Sequence, residues 1–146
     1  MNVCPNITVQ EIVCPHIYKK WGDKAIRFID PDVVEVLNVI RNKILKCPIV
    51  INNGTWKQRG LRCNLCGLVV EKTNKNQPYL SAHVLGKGLD FSCKQYTVPQ
   101  IHELIKKNAD LLPCKIRLES PIDAPTWTHF DIMTYGQKEK VYVFKA

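Results

Sequence analysis

His83, Asp90 and His129 are side chains whose types and spacing could hold one divalent ion. His83 and Asp90 lie seven residues apart in Ser81-Ala82-His83-Val84-Leu85-Gly86-Lys87-Gly88-Leu89-Asp90, and Gly86 and Gly88 let the backbone between them fold back. Asp90 alternates with Leu89 and Phe91, so in a strand its carboxylate points away from those two apolar side chains, into a cleft beside His83. In Thr126-Trp127-Thr128-His129-Phe130-Asp131-Ile132, the side chains of Trp127, His129 and Asp131 share one strand face, and Thr128, Phe130 and Ile132 the other. Two neutral imidazoles and one carboxylate form the donor set that binds zinc while leaving a fourth position for water. Closed structural sites use more cysteine.

The elements that must position these residues read as α+β: a small antiparallel sheet carrying the zinc site, with helices packed on one side. Strands are expected over 89–93, 114–119, 126–133 and 140–144, the last three joined by the 121–125 loop and a turn near Gly136. Asp30 before Pro31 opens a helix over 31–46, with Val33, Leu37, Ile40 and Ile44 along one buried face and Pro48 as the stop. Thr97 with Gln100 has capping-box spacing ahead of a helix reaching about Asn108, and Pro99 suits its first turn. Thr8 and Glu11 repeat that spacing for a short helix over 9–13, which Pro15 helps to end. Ile49, Val50 and Ile51 read as a short strand closing at Asn52-Asn53-Gly54, and 54–80 as a long irregular region of the kind that carries function.

With 146 residues, 45% of them hydrophobic, the chain is expected to fold as a single domain over 1–146. No apolar run is long enough to span a bilayer, and residues 1–8 lack the basic start and apolar middle of a signal peptide, so synthesis is expected to end in a cytoplasm. The net charge of +8 attracts polyanions, but the lysines and arginines are dispersed, without the basic stripe of a nucleic-acid module. No specific nucleic-acid partner is expected, and the chain is read as a monomer. Seven cysteines, an odd number spread through core-like segments, read as reduced buried thiols. Cys63-x-x-Cys66 looks like half a zinc knuckle, for which Cys47, Cys93 or Cys114 would have to supply further ligands, and two packed thiols is the preferred reading. His16 and His102, isolated in the sequence, read as ordinary surface or core residues.

At Ser81, His83, Gly86 and Asp90, followed by Trp127-Thr128-His129, the sequence resembles the zinc D-alanyl-D-alanine carboxypeptidase and phage endolysin family, whose motif is Ser-x-His-x-x-Gly-x-Ala-x-Asp with a later Trp-x-His. Gly88 stands where the motif usually has alanine. The resemblance implies a Zn2+ cofactor on His83, Asp90 and His129, and Arg59-Gly60-Leu61-Arg62 resembles the family's arginine-bearing stretch that contacts a substrate carboxylate. Ser81 and Trp127 join Arg59 and Arg62 as expected substrate contacts. The same scaffold also occurs in hedgehog-type signalling domains, so ligands alone do not establish catalysis.

Hydrolysis also requires a carboxylate that takes a proton from the attacking water and delivers it to the leaving amine. Many members of the family place that carboxylate three residues before the third ligand, where this chain has Thr126. Glu119, ending the strand before the 121–125 loop, is the first choice because an antiparallel return brings it near His129. Asp123, six residues before His129, is the second, and Asp131 is expected to orient an imidazole or an arginine. The resemblance therefore implies a zinc metallopeptidase that cuts a peptide bond in the stem peptide of bacterial peptidoglycan. Such a bacteriophage endolysin would be made in the host cytoplasm and act on the cell wall. The alternative is an inactive zinc-binding structural or peptide-recognition module of the same fold.

Overall fold

The computed structural model describes residues 1–146. Two short strands, β1 (Asn2–Cys4) and β2 (Ile7–Thr8), pair antiparallel and lead into helix α1 (Val9–Ile12). The expected capping box is present, with the Thr8 N–H donating to Glu11 at 2.7 Å. Pro15 does not merely follow this helix. It opens the next one, α2 (Pro15–Trp21), where a first-turn proline forfeits no needed donor, and a 3₁₀ segment continues over Gly22–Phe28.

Helix α3 (Pro31–Asn38) begins where expected, its Asp30 carboxylate accepting from the Asp32 N–H at 3.1 Å. It runs on as a π-helical stretch over Val39–Leu45 and ends at Lys46, whose φ of 53° is the left-handed conformation of a helix terminus. The 49–51 strand reduces to a single antiparallel bridge between Val50 and Ser92. Within the region expected to be irregular lies α4 (Gly67–Asn74), of which only Val69 is buried. A glycine at its first position and a nearly all-exposed surface hide that helix from periodicity. Helix α5 (Val98–Lys107) carries the Thr97–Gln100 box as expected.

Four strands build the main sheet: β3 (Gly88–Phe91), β4 (Ile116–Glu119), β5 (Thr128–Asp131) and β6 (Val141–Phe144), in the order β3-β5-β4-β6. The three strands nearest the ligands are antiparallel, as expected, while β6 lies parallel to β4. The chain still reverses between β5 and β6, but with β4 lying between them β6 pairs with β4 and runs parallel to it. No helix is long and apolar enough to cross a membrane.

Strand alternation divides the sheet chemically. Leu89, Phe91, Ile116, Leu118 and Phe130 join one hydrophobic cluster with Val33 and Leu37 of α3, Ile40 of its π-helical continuation, and Ile101 and Ile105 of α5. Asp90, Arg117, Glu119, His129 and Asp131 line a cleft on the opposite face. Because β3 and β5 are buried along their whole length, the polar groups on that second face must satisfy one another or a bound ion.

The loop before β3 is tied to the α3 cap. The Asp30 N–H donates to the Gly86 carbonyl at 3.0 Å, and Lys87 Nζ reaches the Asp30 carboxylate at 3.0 Å. Gly86 has φ of 67°, and a side chain there would run into the Phe28 carbonyl oxygen. Gly86→Ala is therefore expected to cost about 1–3 kcal/mol from backbone strain alone, with the collision adding to it. Urea unfolding measures this, and an unchanged midpoint would contradict the loop geometry.

Candidate metal centre

The register of β3 and β5 sets the centre. Asp90 stands directly opposite His129 in the antiparallel pair, and Gly88 stands opposite Asp131. His83 enters from the 81–87 turn, where Ser81 Oγ accepts from the Val84 N–H at 3.3 Å and the Ala82 carbonyl accepts from the Lys87 N–H at 2.8 Å. The result gathers the three expected ligands: donor atoms of His83, Asp90 and His129 all lie within 4.8 Å of one another, and all three residues are buried. Asp90 Oδ1 is 2.7 Å from His129 Nδ1, and Asp90 Oδ2 is 3.2 Å from His83 Nε2. This group could hold a metal ion.

Each imidazole is also held from behind. His83 Nδ1 lies 3.0 Å from the Gly60 carbonyl, to which it can donate, leaving Nε2 as the atom that would face an ion beside Asp90. His129 Nε2 lies 2.9 Å from Asp131 Oδ2, which leaves Nδ1 directed at Asp90. A carbonyl behind one ligand and a carboxylate behind the other are the partners that fix tautomer and ring orientation in zinc sites, so the donor set fits the ion. Asp131 also accepts from Nε and one terminal nitrogen of Arg117, at 2.8 and 2.9 Å, so it contacts both the imidazole and the arginine that are its alternative expected partners.

The charges are balanced locally. Burial works against the ionised form of Asp90, but hydrogen bonds from His129 and His83 outweigh it and hold the carboxyl well below the usual range. Burial likewise works against the His129 imidazolium, and the bonds to Asp131 and Asp90 overcome it, raising the ring to about 9. Asp131 follows the same pattern as Asp90, with His129 and Arg117 outweighing its burial.

A cleft of roughly 410 Å³ opens over these groups, and Glu119, Arg62, Ser81 and Trp127 are on its wall. The Glu119 carboxylate takes part in no hydrogen bond or ion pair, and the Arg117 that could have neutralised it is committed to Asp131. Burial pushes its carboxyl upward; nearby His129 opposes that, while Asp90, Asp123 and Asp131 reinforce it. Arg62 donates to the Tyr79 hydroxyl at 2.8 Å and stands 3.7 Å from Asp90 Oδ2.

Two expected site residues are elsewhere. Arg59 turns away from the cleft: its guanidinium stacks over Trp56 at 4.1 Å and donates to Ser92 Oγ at 2.7 Å. It serves the centre through its backbone, the Arg59 carbonyl accepting from the Asp90 N–H at 2.8 Å. Asp123 lies outside the cleft wall and its carboxylate accepts from the Ala146 N–H at 2.9 Å, so it is not poised over the ligands. Residues that the sequence reading missed are Tyr79, Arg117, Met133 and Phe144 on the wall, and the Gly60 carbonyl behind His83. Strand phase, which puts Arg117 on the same face as Glu119, was the one available signal for the arginine.

No protein-family model, curated protein or solved structure matches this chain.

Asp131→Asn keeps the size of the side chain but removes the charge behind His129. If the centre holds a divalent metal ion, the change is expected to weaken that binding by about 10–100-fold. Chelator competition reads the change, and an affinity equal to that of the parent chain would show that His129 is oriented by something else.

Proposed function

We propose that this chain is a zinc-dependent peptidase acting on the stem peptide of bacterial peptidoglycan, of the carboxypeptidase or phage endolysin kind that its motif resembles. The observation that carries the reading is the pairing, in one cleft, of a His-Asp-His donor set with an ion-pair-free carboxylate, Glu119. A bound zinc ion supplies Lewis acidity, which polarises a carbonyl and lowers the pKa of water toward about 7.

His83, Asp90 and His129 would hold that ion, with Gly60 and Asp131 keeping the two rings in the required tautomers. Glu119 takes the proton released by the attacking water and passes it to the departing amine. Burial and the neighbouring carboxylates raise its proton affinity, which is the direction required of a group that must first accept and then donate a proton. Arg62, on the cleft wall beside Asp90, offers a cation to a substrate carboxylate, and Trp127 provides an apolar wall for the peptide. Ser81 acts through the turn that presents His83. Production in a host bacterial cytoplasm and action on the wall of the same cell complete the endolysin reading, with the net charge of +8 favouring anionic wall polymers.

The competing reading is a zinc-retaining module that binds peptide without cleaving it. Glu119 speaks against it, because a half-buried carboxylate left without a partner has a cost that a purely structural site has no reason to carry.

The test is incubation of the zinc-loaded chain with purified peptidoglycan, followed by mass analysis of what is released. Soluble fragments ending at a cut peptide bond are expected. Glu119→Gln is expected to keep its zinc and lose about 10²–10⁴-fold in rate, whereas Asp123→Ala stays active. Intact peptidoglycan after exposure to the parent chain favours the binding module, and full activity in Glu119→Gln removes Glu119 as the base.

A further inference from the structure

A second group of metal-type side chains lies outside the cleft. Cys14, His16, Cys63 and Cys66 each direct a donor atom to one point, all four within 4.8 Å of one another. The separations are 3.7 Å between the sulfurs of Cys14 and Cys63 and 4.0 Å between those of Cys63 and Cys66. His16 Nδ1 stands 3.7 Å from Cys63 Sγ and 3.9 Å from Cys66 Sγ.

Those distances discriminate among the ways thiols can meet. A disulfide needs sulfurs about 2.05 Å apart. A tetrahedral zinc ion with Zn–S near 2.3 Å and Zn–N near 2.0 Å puts its sulfurs about 3.8 Å apart and sulfur and nitrogen about 3.5 Å apart. Those four of the six edges lie within about half an ångström of that tetrahedron, and the other two are no longer than 4.8 Å. Two further features exceed what packed thiols require. His16 is exposed, yet its Nδ1 faces the sulfurs. The Leu65 N–H points at Cys63 Sγ from 3.4 Å, where it stabilises a thiolate.

We infer that Cys14, His16, Cys63 and Cys66 form a second zinc site, closed and structural, distinct from the His83-Asp90-His129 centre. Three thiolates and one imidazole fill all four tetrahedral positions, leaving none for water or substrate. Soft sulfur donors in this geometry select zinc over magnesium or calcium. Binding releases the three thiol protons to solvent and forms one Zn–N and three Zn–S bonds, with no change of oxidation state.

From the sequence, His16 reads as an ordinary surface or core residue and Cys63 and Cys66 as packed thiols, with Cys47, Cys93 or Cys114 as the partners a zinc site would need. Cys47 and Cys93 instead face each other at 3.3 Å in a separate place. The true partners lie about fifty residues upstream, brought close by the parallel bridge between Val13 and Leu61.

That bridge gives the second site its role. The Leu61 N–H donates to the Ile12 carbonyl at 2.9 Å, and the Cys14 N–H donates to the Leu61 carbonyl at 2.9 Å. On the other side of the same segment, the Gly60 carbonyl holds His83, the Arg59 carbonyl holds the Asp90 N–H, and the Arg62 N–H donates to the His83 carbonyl at 3.1 Å. A zinc ion just beyond Leu61 clamps residues 59–62 against the N-terminal segment, and so fixes the backbone that orients two of the three cleft ligands.

The full-length chain, expressed with zinc and purified under reducing conditions, should contain two zinc ions per molecule by elemental analysis. Replacement by cobalt(II) should give the intense sulfur-to-cobalt charge-transfer absorption of a thiolate site. Double substitution His83→Ala and His129→Ala should remove one equivalent of metal and leave that absorption intact. Cys63→Ser with Cys66→Ser should abolish the absorption. Cobalt-loaded parent chain with no thiolate charge transfer overturns the inference without recourse to any variant. So does a Cys14–Cys63 disulfide in protein prepared without oxidant. Because the readouts are metal content and spectrum, failure of peptidoglycan hydrolysis leaves this site standing, and loss of this site leaves the cleft proposal to its own test.

Discussion

A carboxylate buried between two imidazoles governs the rest of this molecule. Asp90 has been taken out of water by the sheet, and an ionised group in that position is tolerable only when positive charge or strong donors surround it. His83, His129 and Arg62 supply them from three different segments. Each of those segments is in turn fixed by something behind it: a backbone carbonyl for His83, a second carboxylate for His129, and a tyrosine hydroxyl for Arg62. The cleft is therefore a chain of obligations among buried charges, and a divalent cation at its centre would add the positive charge that two closely placed carboxylates call for.

The consequence reaches into the sheet. Gly88, where the resembled motif usually has alanine, faces Asp131 across the strand pair, and a Cβ there would stand 2.7 Å from the Asp131 Cβ and 2.9 Å from that of Ala82. The smaller residue makes room for the carboxylate that orients His129. Arg117, held by Asp131 and stacked on the Phe144 ring at 4.2 Å, is then unable to neutralise Glu119. One glycine thus bears on which carboxylate in the cleft stays unpaired.

Much of the framework could be read from local signals. Asp30-Pro31 and Thr97-x-x-Gln100 start helices because their caps act within a few residues, and both helices begin where those residues say. Strand phase placed Asp90 opposite to Leu89 and Phe91, and His129 opposite to Phe130, because side chains alternate whatever the tertiary context. Local signals also misled. Pro15 is as good a first residue of a helix as a terminator of the one before, and the local sequence does not say which. Helix α4 lacks an apolar stripe because nearly all its residues face solvent, so periodicity had nothing to register.

The sequence by itself determined the donor types, the spacing of His83 and Asp90, and the strand face on which Asp90 and His129 lie. Only the tertiary structure decided that Glu119 is free while Asp123 is bound to the Ala146 amide, and that Arg62 rather than Arg59 enters the cleft. It also decided that Cys63 and Cys66 meet Cys14 and His16. The physical reason is range. Capping and alternation act over a few residues of contiguous backbone, whereas a charge or a thiol finds its partner through space, along a path that closes only when the intervening chain has packed.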